Sequence, residues 1–237
     1  MKTLFRCFII FIRQIAGDSM LFAILLAPLL AGSFFRFGIP QIEILLCGYF
    51  SRNGILTDYY LLFDLLLATL TPFMFCFASA MVMLTEIDEN IVRYIAVTPV
   101  GKRGYLISRL VFPAGISAVC SVLMLHFFSL TDITLVLKLI VCVMTAIMSV
   151  SANLMIITFS HNRVEGMALG KITGLLMLGL PIPFFLISKM KYAVSFLSSF
   201  WIAELAIENK LLYAIPALFI SVVMIGFLYQ KFQRKIL

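Results

Sequence analysis

Charge is scarce in this sequence. Eleven Asp and Glu stand against eighteen Lys and Arg in 237 residues, charged residues are 12% of the chain, and there are two histidines and one tryptophan. A soluble domain carries roughly twice that charged share, about 25%, so a water-soluble fold is excluded. The five cysteines, Cys7, Cys47, Cys76, Cys120 and Cys142, show no C-x-x-C or metal-ligand spacing, and most sit inside apolar runs. They read as small core hydrophobes. There is no H-E-x-x-H and no G-x-S-x-G; Gly115-Ile116-Ser117-Ala118 is half of an intramembrane serine-protease signature with no histidine at a convincing place. No G-x-x-x-x-G-K-[ST] occurs, because Gly101-Lys102 lacks the upstream glycine and the following hydroxyl. The chain therefore has no means of cradling ATP phosphates by itself.

What is present is oil. Hydrophobic residues make up 63% of the chain and the mean hydropathy is +1.12. A membrane span needs about 20 mostly apolar residues, and the chain reads as one domain, 1–237, with six spans at about 19–35, 59–84, 105–128, 135–159, 167–187 and 211–228. Residues 1–17 interleave Lys2, Arg6 and Arg13 with Leu4, Phe5, Phe8, Ile9 and Phe11, the pattern of an amphipathic helix lying on a membrane. Between the first two spans a mixed loop holds Arg36, Pro40, Glu43, Arg52 and Asp58, with a short apolar stretch at 42–50 read as a dipping or interfacial helix. Residues 188–210, with Tyr192, Trp201, Glu204 and Glu208, are too polar for a span and suit an outer interfacial or re-entrant segment.

Orientation follows from Lys and Arg. With the amino terminus inside, the inner side receives Lys2, Arg6, Arg13, Arg93, Lys102, Arg103, Arg109, Arg163, Lys171, Lys231, Arg234 and Lys235, and the outer side Arg36, Arg52, Lys138, Lys189, Lys191 and Lys210, twelve against six. Both termini are expected to be cytoplasmic. Cations so placed hold topology and meet anionic lipid, which disposes of a nucleic-acid partner.

The polar island Thr85 to Arg109 interrupts the oil. Thr85 and Asp88 form a T-x-x-D capping pattern, Glu86, Asp88 and Glu89 suit the positive end of a helix dipole, and Pro99 stops the helix. Ile87, Ile91, Tyr94, Ile95 and Thr98 then fall on one mostly apolar face. A short amphipathic helix over 86–98 is expected, with a face to offer a partner; a surface-bound loop without one is the alternative.

Few groups carry chemistry. Asp64, inside the second span, either lines a substrate path or neutralises Arg36, Arg52 or Lys138. Lys138 and Lys171 can snorkel, outward and inward respectively. An ion-coupled secondary transporter relaying through Asp64, Lys138 and Lys171, and less readily an integral-membrane enzyme, remain as alternatives to a transport permease with no enzyme activity of its own.

Read together, E-I-D-E-N-I-V-R-Y-I-A-V-T-P-V-G-K-R-G-Y-L-I-S-R-L (Glu86 to Leu110) resembles the loop between the second and third spans in ABC-2 type permease subunits of ABC exporters, and N-R-V-E-G-M-A-L-G-K-I-T-G-L-L-M-L-G-L-P (Asn162 to Pro181) is similar to their opening of the fifth span. The nearest sub-group is the small fluoroquinolone-type drug-export permeases. The resemblance implies an all-α, type V-like membrane domain of six spans, with residues 1–17 as connecting helix and 86–98 as cytoplasmic coupling helix, in a multi-pass protein of a prokaryotic inner membrane. Glu86, Ile87, Asp88, Glu89, Ile91, Tyr94, Ile95, Thr98 and Pro99 would engage a separate ABC ATP-binding subunit, which carries the ATP and Mg. This chain would bind no cofactor and catalyse nothing itself. A second half, identical or homologous, would complete a path lined by the second and fifth spans, for which Asp64, Thr69, Thr71, Phe73, Phe77, Gly174 and Met177 are the candidates.

Overall fold

The computed structural model describes residues 2–51, 54–96, 101–186 and 188–236. Among these there is no strand, and the helices are α1 (Lys2–Gly17), α2 (Ser19–Phe50), α3 (Thr57–Asp88), α4 (Ile91–Ala96), α5 (101–128), α6 (Leu135–Phe159), α7 (Arg163–Thr173), α8 (Ile182–Phe185), α9 (Ser198–Glu208) and α10 (Ala214–Ile236). Five segments, Ser19–Phe50, Thr57–Asp88, Gly104–Phe128, Leu135–Phe159 and Leu211–Lys235, are long and apolar enough to cross a bilayer. The protein is a multi-pass, all-helical membrane protein.

Two expectations meet a different backbone. The mixed loop after the first span is helical as far as Phe50, so the short apolar stretch 42–50 is the C-terminal part of one 32-residue helix. The expected fifth span is interrupted: α7 tightens into a 3₁₀ run at Gly174–Gly179 and turns at Pro181 before the short α8. Gly174, Gly179, Pro181 and Pro183 within ten positions weaken helix propagation enough to account for this.

α3 is the hub. It packs against α2, α5, α6 and α7 and is buried along most of its length. Two apolar cores lie along it. One gathers Phe11, Met81, Leu84, Leu110, Ile157 and Phe232 at the end that holds both termini; the other gathers Leu65, Leu125, Val141, Leu180, Ile202 and Leu205 at the opposite end. α9 closes that opposite end, with Trp201 stacked on Tyr213 and its indole N–H donating to Ser195 O at 2.7 Å. Lys191 pairs there with the buried Glu204.

Proline decides where these helices need help. A proline lacks an N–H, so the carbonyl four residues earlier loses its helical partner, and within a bilayer no water replaces it. Pro72 leaves the Ala68 carbonyl open; Ser121 of α5 and Thr145 of α6 both donate to it, at 2.8 and 3.1 Å. Pro113 leaves the Arg109 carbonyl open, and Ser79 of α3 donates to that. The chain widens into a π turn at Ile107–Val111 before Pro113, and likewise at Phe34–Gly38 before Pro40. Three helices are thereby joined at α3 through the defects of two of them.

The carboxylates at the opposite end serve loops. Glu43 accepts from the Ile55 and Leu56 amides, both at 2.7 Å, and from Thr57. Asp64, 1% exposed, accepts from the Leu130 and Thr131 amides at 2.8 and 2.9 Å and from the Thr131 hydroxyl. Arg36 and Lys138 hold the same turn through the Ser129 carbonyl and hydroxyl.

Removing both donors to Ala68, in Ser121→Ala with Thr145→Val, should destabilise the protein by about 1–3 kcal/mol, the cost of a buried unsatisfied carbonyl. Adding Pro72→Ala restores the helical N–H and should recover part of that loss. Thermal unfolding in detergent measures both; equal losses with and without Pro72→Ala would show that the hydroxyls act by packing alone.

Candidate functional site

The segment that leaves α3 and enters α5 is tied to both helices by a buried ion pair. Glu86 and Arg109 are 1% and 2% exposed. Arg109 Nε donates to Glu86 Oε2 at 3.0 Å, its Nη2 pairs with Oε1, and the Tyr105 hydroxyl donates to Oε2 at 2.9 Å. The guanidinium carbon lies 4.9 Å from the Phe11 ring centre and 5.8 Å from that of Tyr105, so α1 is clamped to the same pair by a cation–π contact. A buried carboxylate needs such a set of donors, since an uncompensated charge there is expensive.

This changes the reading of the polar island. Thr85 caps nothing, because its hydroxyl donates back to Met81 O and α3 runs on to Asp88. Glu86 and Asp88 therefore lie at a helix C-terminus, where the dipole opposes carboxylates, and Glu86 is held by Arg109 instead. The helix breaks at Glu89 and Asn90, the latter at φ 57°, and restarts as α4. Ile87 and Ile91 are half-buried against their own chain, Val92 is buried, and Asp88, Glu89 and Tyr94 project, Tyr94 being 73% exposed. The Ile95 side chain, Thr98 and Pro99 lie outside what the structure describes.

A second polar joint lies beside it. Asp18 caps α2 by accepting from the Met20 and Leu21 amides at 3.0 and 3.3 Å, and pairs with Arg163, the first residue of α7. α7 is capped at its start: Asn162 accepts from the Glu165 amide at 2.9 Å, and Glu165 accepts from the amide of His161, just before the cap, at 2.7 Å. The Arg163 guanidinium holds the Asp18 carboxyl below its ordinary range, the flanking amides adding to the effect against partial burial.

Beyond these joints α2, α3 and α7 enclose a groove of about 580 Å³ lined by Met20, Ile24, Phe73, Met74, Phe77 and Met167, with Val164, Ala168, Gly170 and Lys171 completing it. Of the path candidates, Phe73 and Phe77 face this space. Thr69 and Thr71 are buried with their hydroxyls on Leu65 O and Leu67 O of their own helix, Asp64 is at the far end, Met177 packs into the second core and Gly174 has open space beside it. The contributions of Met20, Ile24 and the α7 glycines were not anticipated. A Cβ at Gly166 would collide with Leu84 and Met81, and one at Gly170 with the Phe77 ring; the G-x-x-x-G spacing of 166 and 170 is the signal for such close approach.

A family model described as fluoroquinolones export permease protein Rv2686c-like matches residues 11–232. No curated protein and no solved structure matches the chain.

Two outcomes test the joints. Glu86→Gln leaves Arg109 buried without its counter-charge and should cost about 3–5 kcal/mol; adding Arg109→Met should return part of it, read by thermal unfolding. For Asp18 the folded pKa is depressed, so its stabilisation is present above the ordinary value of 3.8 and is lost as pH falls through the folded pKa. The gap in Tm between the wild type and Asp18→Asn should thus be constant near neutral pH and close in acid, and a gap that persists at the lowest pH would rule out the ion pair as its cause.

Proposed function

The chain belongs to the Rv2686c-like family of fluoroquinolones export permeases, and from that membership and the geometry above we propose that it is the membrane half of an ATP-driven ABC exporter of the ABC-2 type. It pairs with a second six-span half, identical or homologous, and is driven by a separate ATP-binding subunit that carries ATP and Mg. Its substrate is a drug, peptide or other amphipathic small molecule. Both termini and the 86–98 segment face the cytoplasm, as the Lys and Arg distribution favours.

The observation that carries this reading is the Glu86–Arg109–Tyr105 joint. A surface segment that only rests on lipid has no need of a buried ionic anchor to two spans and to the amino-terminal helix. A segment that receives a push does, because the anchor makes α1, α3 and α5 move with it. Asp88, Glu89 and Tyr94 project beyond the anchor as the surface offered to the ATPase. The sixth crossing is the broken path after Phe159. Ser160 is bound by Lys235 at the end that holds the termini, whereas Tyr213 stacks on Trp201 at the opposite end, so residues 163–210 carry the chain across.

An ion-coupled transporter fits less well, since the Asp64 oxygens are occupied by loop donors and Lys171 lies at a different level from Asp64 and Lys138. Tyr94→Ala should weaken association with the ATPase by about ten- to a hundredfold, taking roughly 1.5–3 kcal/mol for a large buried side chain and about 1.4 kcal/mol per factor of ten. Co-purification and substrate-stimulated ATP hydrolysis measure it, with fold stability unchanged. Normal association and stimulation in Tyr94→Ala combined with Asp88→Ala and Glu89→Ala would reduce the segment to a passive loop.

A further inference from the structure

The groove between α2, α3 and α7 has one ionisable residue in its wall, Lys171. Among the described residues no acidic side chain lines it and Lys171 makes no ion pair. Its depth makes this unusual. The neighbouring Gly170 lies against Phe77, and Phe77 is eleven positions before the end of α3 at Asp88, so at 1.5 Å per residue the backbone of Lys171 is about 16 Å along the bundle from that end. An ammonium at such a level is costly unless it snorkels or meets a counter-charge. Snorkelling leads back along the groove, past Met167 and Val164, and keeps the charge on the groove's wall.

The rest of the lining suits a flat or flexible apolar body. Phe73 and Phe77 offer aromatic rings, and Met20, Met74 and Met167 offer polarizable side chains that adjust to irregular shapes. A groove with this wall and a single unpartnered cation disfavours positively charged amphiphiles and favours negatively charged ones. We infer that Lys171 is a specificity-determining residue that selects amphiphiles bearing an anionic group, a carboxylate or its equivalent, whose apolar body lies against Phe73 and Phe77. This rests on reading the groove as part of the transport path, and it adds the sign of the charge that the path accepts.

The test separates the two. The full-length chain in phosphatidylcholine nanodiscs is titrated with pyrenebutyric acid and with its methyl ester, which share a body and differ in charge. In Lys171→Gln and in Lys171→Met the acid-to-ester affinity ratio should fall by about ten- to a hundredfold, the worth of a hydrogen bond to a charged group, with ester affinity unchanged; partition into lipid is common to all variants and cancels. Lys171→Arg should keep the ratio, and Phe77→Ala should weaken both probes while preserving it. An unchanged ratio in Lys171→Gln and Lys171→Met overturns the inference. Displacement of the acid by phosphatidylglycerol that is lost in Lys171→Gln would support the inference and identify the anionic group as a lipid headgroup. Failure of ATP-dependent transport in proteoliposomes with the ATPase, alongside a ratio that falls as expected, would instead remove the exporter reading and leave the anion site standing.

Discussion

A backbone carbonyl inside a bilayer must find its donor within the protein, and proline is the residue that takes one away. The fold answers that constraint with hydroxyls from neighbouring helices. Ala68, orphaned by Pro72, is reached by Ser121 and Thr145; Arg109, orphaned by Pro113, is reached by Ser79. Each repair crosses a helix interface, so the loss of one intrahelical bond becomes an interhelical one. Apolar packing gives little orientation in lipid, where tails are as oily as leucine. These polar contacts therefore fix how α3, α5 and α6 are set against one another, and α3 becomes the hub because it receives one repair and provides another.

The ionic joint at Glu86 and Arg109 sits directly below the second repair, on the same residue whose carbonyl Ser79 holds. Arg109 is thus fixed at its backbone by α3, at its side chain by α3, and over the Phe11 ring by α1. The pair thus ties the end of α3 to the first turns of α5 and to α1. The second joint, Asp18 with Arg163, does the same for the α2 and α7 starts. Both joints lie at one end of the bundle, and the groove begins above them.

Much of this was legible in the residues. The apolar runs announce a membrane protein, and the Glu86 to Leu110 and Asn162 to Pro181 stretches carry the family likeness. Phe73 and Phe77, expected on a path lined by the second and fifth spans, line one groove with residues of α7. The roles of the individual acids were not legible, because a carboxylate's partner is set by tertiary contact. Glu86 read as the start of a surface helix since T-x-x-D is a local signal, whereas Arg109, twenty-three positions later, decides its place. Asp64 read either as a path residue or as a counter-charge to Arg36, Arg52 or Lys138, whereas its oxygens accept from two backbone amides of a distant turn. The 42–50 stretch looked too short to cross because Arg36 and Pro40 precede it; a π turn lets the helix pass both.

The distribution of acids then narrows what the charges are for. Asp18, Glu43, Asp64, Glu86, Glu165, Glu204 and Glu208 are all engaged by donors within the chain. Asp58, Asp88, Glu89 and Asp132 are exposed. Two of these four are adjacent, on the segment anchored by the ionic joint, and that adjacency is what a partner with a basic rim would read. Inside the bundle the acids are used in architecture, so none remains to neutralise Lys171. Among the described residues no acidic side chain lines the groove beside Lys171, and an entering molecule with a negative group would, on the inference above, complete the electrostatics there.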